Sequence, residues 1–224
     1  MATFSTNFAP PAPITGLAAF ANVDASSVDL TWDATALGAG FRSYRIYRSP
    51  DGIAYSEVGI VLIEADSAFS DYEAPLDVPL WYQVTVWNAD EESAPVDVTS
   101  ELDVSAWWFV TPGDGSNTFE LRTVVGYSDG APLQQEDYEP LGRSRKLVVT
   151  GELLGNEGSL TVNLSREDAA TVDRLRQRSI DDTNAFHLLK SPFGEVFRIR
   201  LRSIGRSRGG AGRQVVTLPF VEVE

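Results

Sequence analysis

The sequence predicts an all-β chain of two domains: a β-sandwich over residues 12–103, preceded by an arm at 1–11, and a β-barrel-like domain with one α-helix over residues 104–224. Three observations predict it. Apolar residues recur with a period of two in short runs, turn residues interrupt those runs about every ten positions, and helical spacing is confined to one segment. Length agrees, since 224 residues suit two domains of roughly 100 residues, each able to bury a core. Charge divides at the same boundary. Residues 1–105 hold 16 Asp/Glu against 3 Arg, a net of −13, whereas residues 106–224 hold 16 Asp/Glu against 15 Lys/Arg, a net of −1, and the two sum to the whole-chain −14. A strongly negative domain repels nucleic acid and anionic membrane and suits a solvated, outward-facing position, while a balanced one can pair charges across subunit contacts.

An apolar content of 43% with 18 Gly and 12 Pro is a globular composition, so the chain is expected to fold. No stretch approaches the roughly 20 apolar residues that cross a bilayer, and the opening MATFSTNFAPPAP has neither the basic nor the apolar region of a secretory signal. The expectation is a soluble protein, made in the cytoplasm and kept or assembled there. Absence of cysteine removes disulfide and thiolate chemistry, and the single histidine, His187, cannot make a zinc site by itself.

In the first domain Val28, Leu30 and Trp32 share one strand face, and the run Ser43–Ser49 sets Tyr44, Ile46 and Arg48 opposite Arg45 and Tyr47. Ser49-Pro50-Asp51-Gly52 is a turn, with Pro presetting φ and Gly supplying freedom at the fourth position. If Tyr82, Val84 and Val86 point inward, then Trp81, Gln83, Thr85 and Trp87 point outward. Trp32, Tyr44 and Tyr82 read as core. Trp81 and Trp87 are candidate surface-binding residues, through stacking on a sugar or on a neighbouring subunit, with simple packing on an adjacent strand as the plainer reading.

These residues carry a resemblance. The Pro-rich opening with Leu17, the strand ending in Trp32, Tyr44-Arg45-Ile46-Tyr47-Arg48-Ser49 before Asp51-Gly52, Phe69-Ser70-Asp71, and Leu76 with Tyr82-Gln83-Val84-Thr85-Val86-Trp87-Asn88 resemble a bacterial fibronectin type III domain over about residues 12–103. Leu76 and Tyr82 sit at the spacing of that fold's tyrosine corner, which implies a phenol bonding back to the chain near the corner. The resemblance labels a scaffold, because the fold serves adhesion, spacing and ligand display alike.

The second domain opens with Trp107-Trp108-Phe109-Val110, where adjacent tryptophans on a strand must face opposite ways. One is expected in the barrel core and the other against the first domain or another chain. Lys146–Leu154 and Ser159–Leu164 read as strands joined by a hairpin-type turn, Gly155-Asn156-Glu157-Gly158. Ser165-Arg166-Glu167-Asp168 reads as a helix N-terminus, with Ala169, Val172 and Leu175 at helical spacing, so a helix of about three turns is expected over about 166–179. Strands resume at Ala185–Leu189, Glu195–Ile204 and Gln214–Glu222, joined by Ser191-Pro192-Phe193-Gly194 and by a loop from Gly205 to Arg213 that reads as mobile until assembly orders it.

Trp107-Trp108-Phe109 with Thr111-Pro112, Tyr138-Glu139-Pro140-Leu141-Gly142-Arg143-Ser144-Arg145 before Val148-Val149, Gly151 with Gly158-Ser159-Leu160-Thr161, Leu188-Leu189-Lys190-Ser191-Pro192-Phe193-Gly194, and Phe220-Val221-Glu222-Val223 are similar, in this order, to minor tail or virion structural proteins of actinobacterial phages over about residues 105–224. The plan also resembles the barrel of tail-tube and distal-tail proteins. The resemblance implies a virion structural role in the tail or tail tip, in several copies and often as a ring, with other tail proteins and further copies of the chain as partners and assembly in the host cytoplasm.

Arg198, Arg200 and Arg202 alternate with Phe197, Ile199 and Leu201, and Arg206, Arg208 and Arg213 extend the positive charge. Three readings stand beside each other: a solvated strand face, pairing with carboxylates of a neighbouring subunit, and nucleic-acid contact. Balanced charge and the lack of aromatics on that face argue against the last. Candidate subunit-interface residues are therefore Arg198, Arg200, Arg202, Arg206, Arg208, Trp107 and Trp108. For an enzyme no seat is visible: His187 lies in an apolar run with no partner motif, and Glu91-Glu92 and Asp181-Asp182 fall in turns without a calcium-loop pattern. The expectation is a non-enzymatic chain without cofactor or metal, binding neither nucleic acid nor membrane. The alternative is a cell-surface glycan-binding or adhesion module, with a host surface glycan as partner.

Overall fold

The computed structural model describes residues 10–223, apart from 89–90, 105, 114–117, 122–123, 131–134, 139–146, 151–156, 165–169, 171–172, 174–176, 178–185, 202–204 and 209–213. Nearly all regular structure among the described residues is β. The chain divides into two compact units, residues 1–105 with 191–196, and residues 106–190 with 197–224.

Among the described residues the first unit is a seven-stranded antiparallel sandwich. One sheet has the order β1-β2-β5, from Ala18–Asn22, Ser27–Thr31 and Ala68–Asp71. The other has the order β4-β3-β6-β7, from Ser56–Val61, Phe41–Ser49, Pro79–Asn88 and Val96–Glu101. Strand alternation explains which side chains fill the space between them. Val28, Leu30 and Trp32 face Tyr44, Ile46, Tyr82, Val84 and Val86, all buried. Trp32 meets Tyr44 edge-on, with ring centroids 5.2 Å apart, the arrangement that ring quadrupoles favour.

Two carboxylates tie this sandwich together. Asp71, buried at the end of β5, accepts hydrogen bonds through Oδ2 from Tyr82 Oη at 2.9 Å and from Arg48 at 2.7 Å. Its Oδ1 accepts the Glu73 N–H at 3.0 Å. The expected tyrosine corner therefore takes a different form: the phenol donates to a side chain of the facing sheet. Burial, reinforced by the Asp71 charge, pushes the Tyr82 phenol well above its ordinary range, so Tyr82 stays a donor. Glu64 performs the same service for a loop. Its carboxylate accepts the Leu37 and Gly38 N–H groups, and its main-chain carbonyl accepts the Tyr44 hydroxyl at 2.9 Å.

The second unit is one large antiparallel sheet with the order β10-β13-β17-β15-β14-β8-β9, and β16 also pairs with β17. These strands are β8 Trp107–Val110, β9 Phe119–Leu121, β10 Val124–Gly130, β13 Glu157–Leu164, β14 His187–Lys190, β15 Val196–Leu201, β16 Gly205–Arg208 and β17 Gln214–Glu222. The two end strands, β9 and β10, are neighbours in sequence, and Leu121 and Val124 pack on one core with Phe109, Leu160, Leu189, Val216 and Phe220. Trp107 on β8 lies 4.9 Å from Tyr127 on β10, which requires the sheet to curl until its ends approach, as in a barrel. Among the described residues no hydrogen-bonded ladder joins β9 to β10.

Two expectations are corrected here. Glu157 and Gly158 do not turn the chain: they belong to β13, paired with Gly130 and Asp129. The segment expected as the other arm of that hairpin, β12 Leu147–Thr150, pairs instead with β11 Gln135–Tyr138 in a separate two-stranded ribbon. Nor is Gly205–Arg208 loop, since its four residues pair in register with Thr217–Gln214. In both cases glycine reads as a turn when counted locally, while a partner strand far along the chain fixes it as extended. The expected helix at about 166–179 lies almost wholly outside the described residues.

Replacing Asp71 by Asn should cost the first unit about 2–4 kcal/mol, because it strips a charged partner from a shielded arginine. The Asp71→Asn/Arg48→Met double variant should recover part of that loss. Denaturant unfolding followed at the β6 amides reads both.

Candidate interaction surfaces

The outward face of β6 carries Trp81, Gln83, Thr85 and Trp87, as alternation predicts, yet little of it is bare. Trp81 is half-buried under the turn that follows β3. A Cβ at Gly52 would lie 3.4 Å from three atoms of the indole, and Gly52 has φ of 70°, so the glycine main chain rests directly on the ring. Asp51 shapes this turn. Its Oδ1 accepts the Ile53 and Ala54 N–H groups at 2.8 and 2.9 Å and the Ser49 hydroxyl at 2.7 Å. These donors hold the Asp51 carboxyl down to about 2.

Trp87 is covered by a neighbour on β3 that shares this outward face. The Arg45 guanidinium lies 4.2 Å from its ring centroid, a cation–π contact. Arg45 also approaches Glu57, at 3.8 Å. Glu92 accepts the Tyr47 hydroxyl at 2.8 Å and the Thr85 hydroxyl, which explains why Thr85 is buried on an outward face. Burial and the Glu92 carboxylate push the Tyr47 phenol up. Each tryptophan thus has an indole face occupied by its own chain, and Tyr47 and Thr85 are bonded to Glu92. The second member of the Glu91-Glu92 pair is a structural acceptor; Asp181-Asp182 lies outside the described residues.

In the second unit Trp107 faces the core with Phe109, while Trp108 on the opposite face is the more buried, at 7% exposed, with Nε1 unbonded among the described residues. Arg198 is exposed, with its guanidinium 5.6 Å from the Phe186 ring centroid. Arg200 is half-buried, and its Nε is shielded without a hydrogen bond among the described residues. Between them Ile199 enters the core, so the expected alternation holds over β15. Arg202 and Arg213 lie outside the described residues, and Arg206 and Arg208 are placed as main chain in β16. The arginines do not converge on one described site.

His187 is fully buried in β14, with Nδ1 3.2 Å from Thr111 Oγ1 and its ring 4.9 Å from that of Phe109. Among the described residues no group of three or more His, Asp or Glu is placed to hold a metal ion, and no helix is long and apolar enough to cross a membrane.

The feature that sequence reasoning missed is the ribbon. β10 pairs with β13 as far as Gly130↔Glu157, and β11 then pairs with β12 from Gln135↔Thr150 to Tyr138↔Leu147. Both ladders belong to one excursion of the chain, out through β10 and β11 and back through β12 and β13. β13 has β17 on its other edge, but among the described residues no third strand pairs with β11 or β12. A signal was available, since Gln135–Tyr138 and Leu147–Thr150 flank a turn-rich stretch containing Pro140-Leu141-Gly142.

No family model and no curated protein matches the chain. Among solved structures it is similar to a Fn3-like protein from Clostridium thermocellum, at 22% identity and a TM-score of 0.35, over 41% of this chain and 92% of that one. It is also similar to a chain of the virion of a native gene transfer agent particle, at 13% identity and a TM-score of 0.33, over 53% of this chain and 92% of that one. A chain from the tail of an empty particle of that kind gives the same identity and TM-score, over 53% and 90%. Scores at this level assign neither family nor role.

The depressed Asp51 carboxyl makes a pH prediction with a definite sign. Its folded value lies below the unfolded one, so the turn's contribution is complete above about 3.8 and is lost as pH falls through about 2. In an NMR titration the Ile53 and Ala54 amides should move with a midpoint near 2, and a midpoint at the ordinary carboxyl value would refute the bonding described.

Proposed function

We propose that this chain is a non-enzymatic structural component of a virion tail, a minor tail or tip protein present in several copies, whose second unit makes the assembly contacts while the acidic first unit projects outward. The observation that carries the proposal is the β11–β12 ribbon. An isolated two-stranded ribbon is marginal in water, and one whose outer edges meet no third strand among the described residues is suited to gain a third strand or a packing face from another subunit. The ordered motifs from Trp107 to Val223 supply the identity of the assembly, and the charge division supplies the orientation, since a net of −13 opposes close self-association.

The non-enzymatic reading is supported by the commitments of two candidate groups among the described residues. His187 is enclosed by Thr111 and Phe109, and Glu92 is used by Tyr47 and Thr85. Glycan binding by the first unit is the competing reading. It is weakened by the cover that Gly52 and Arg45 place over Trp81 and Trp87.

Removing residues 1–103 should leave oligomerisation of the remainder intact, and loss of assembly on that deletion would contradict the assignment. Joining Gly130 to Glu157 through a short Asn-Gly turn, in place of residues 131–156, should leave the second unit folded, because those two residues already face each other in the ladder. The same change should abolish concentration-dependent assembly, measured by light scattering. Saturable binding of a single sugar class on a glycan array by the first unit would favour adhesion instead.

A further inference from the structure

The first unit has a surface that the proposed function does not use. β4 is the end strand of its sheet, and among the described residues nothing pairs with its free edge. Its register slips at Val58, so the regular edge runs from Gly59 to Val61, with Leu62 following it outside the strand. Along it Ile60, Leu62 and Ile63 are 49%, 73% and 60% exposed, and with Val61, Asp66 and Ala68 they border a groove of about 620 Å³. Contiguous exposed apolar side chains beside an open strand edge are the combination that extended peptides recognise, through main-chain hydrogen bonds and alternate side-chain pockets.

This surface is held in place by several bonds. The Tyr44 hydroxyl and the Gly38 N–H fix Glu64 from below, the Asp66 N–H closes a turn on the Ile63 carbonyl at 3.0 Å, and the Trp32 N–H bonds the Ser67 carbonyl at 3.0 Å. Under the edge, Phe69 lies so close to Gly59 that a Cβ there would meet its ring at 2.3 Å. Leu62 and Ile63 are therefore presented by a braced loop, which lowers the ordering cost of binding.

Charge selects the occupant. Exposed Asp66 borders the groove, Arg45 and Arg48 are ion-paired with Glu57 and Asp71, and residues 1–105 carry −13. A second copy of this unit would bring the same negative field. We propose that the β4 edge and the Leu62–Ile63 loop dock an extended segment of a different protein, with alternating branched apolar residues and Lys or Arg at its flanks, added as a strand beside β4. The inference does not depend on the virion reading.

The test uses the full chain at low salt and a fluorescent peptide of alternating valine and threonine with lysines at both ends, beside a counterpart ending in glutamates. The lysine-ended peptide should bind at least about tenfold tighter. A Leu62→Ser/Ile63→Ser variant, altered only at exposed side chains, should lose about tenfold or more in affinity with its melting temperature unchanged. The proposal is overturned by absence of binding, by equal binding of the two peptides, or by equal binding to the variant. It is overturned too if the chain self-associates and the variant does not, since a second copy would then occupy the site.

Discussion

A β-strand satisfies its main-chain donors and acceptors only where another strand lies beside it, and the edges that find a neighbour in this chain govern everything else in its structure. In the second unit the sheet curls until β9 and β10 approach, with Trp107 against Tyr127 on its inner face, although among the described residues no ladder joins those two strands. The ribbon of β11 and β12 lies along the chain beyond the Gly130↔Glu157 end of that sheet, and among the described residues no third strand pairs with either of its members. In the first unit β4 is left in the same position. An all-β chain with open edges must blunt them or use them, and here neither edge is capped by a proline or by a covering strand among the described residues.

The side-chain acceptors of the sandwich follow another rule. Several of its acidic residues replace main-chain contacts that the fold would otherwise need. Asp71 joins Tyr82 and Arg48 across the two sheets, Glu64 gathers the N–H groups of Leu37 and Gly38, Asp51 shapes the turn over Trp81, and Glu92 holds Tyr47 and Thr85. Carboxylates bonded in this way are fixed acceptors, and hydrogen bonds to ionised groups are stronger than neutral ones. Part of the negative charge is therefore structural, and the remainder is available to repel like surfaces.

Much of this is legible in the sequence where the cause is local. The period of two in β6 places Tyr82, Val84 and Val86 inside, and Ser49-Pro50-Asp51-Gly52 names its own turn. The alternation of Phe197, Ile199 and Leu201 with arginine gives the inner face of β15 correctly. What is not legible depends on partners distant in sequence. Gly158 and Gly205 look like turn residues until Asp129 and Thr217 pair with them. Thr85 looks solvent-facing until Glu92 reaches it. Trp81 and Trp87 leave a choice between surface binding and plain packing, and the local pattern does not show that Gly52 and Arg45 lie against them. Composition cannot report such pairings, because a strand edge carries no mark of what it will meet.

Main-chain amide exchange in the β11–β12 ribbon, measured on the full chain across a concentration series, tests the central claim most directly. The account predicts that Glu136, Asp137, Val148 and Val149 exchange rapidly in dilute solution and become protected as the chain assembles, while the β13–β17 ladder is protected throughout. Ribbon amides already protected in the dilute monomer, or unprotected at every concentration, would show that these edges are not where copies meet.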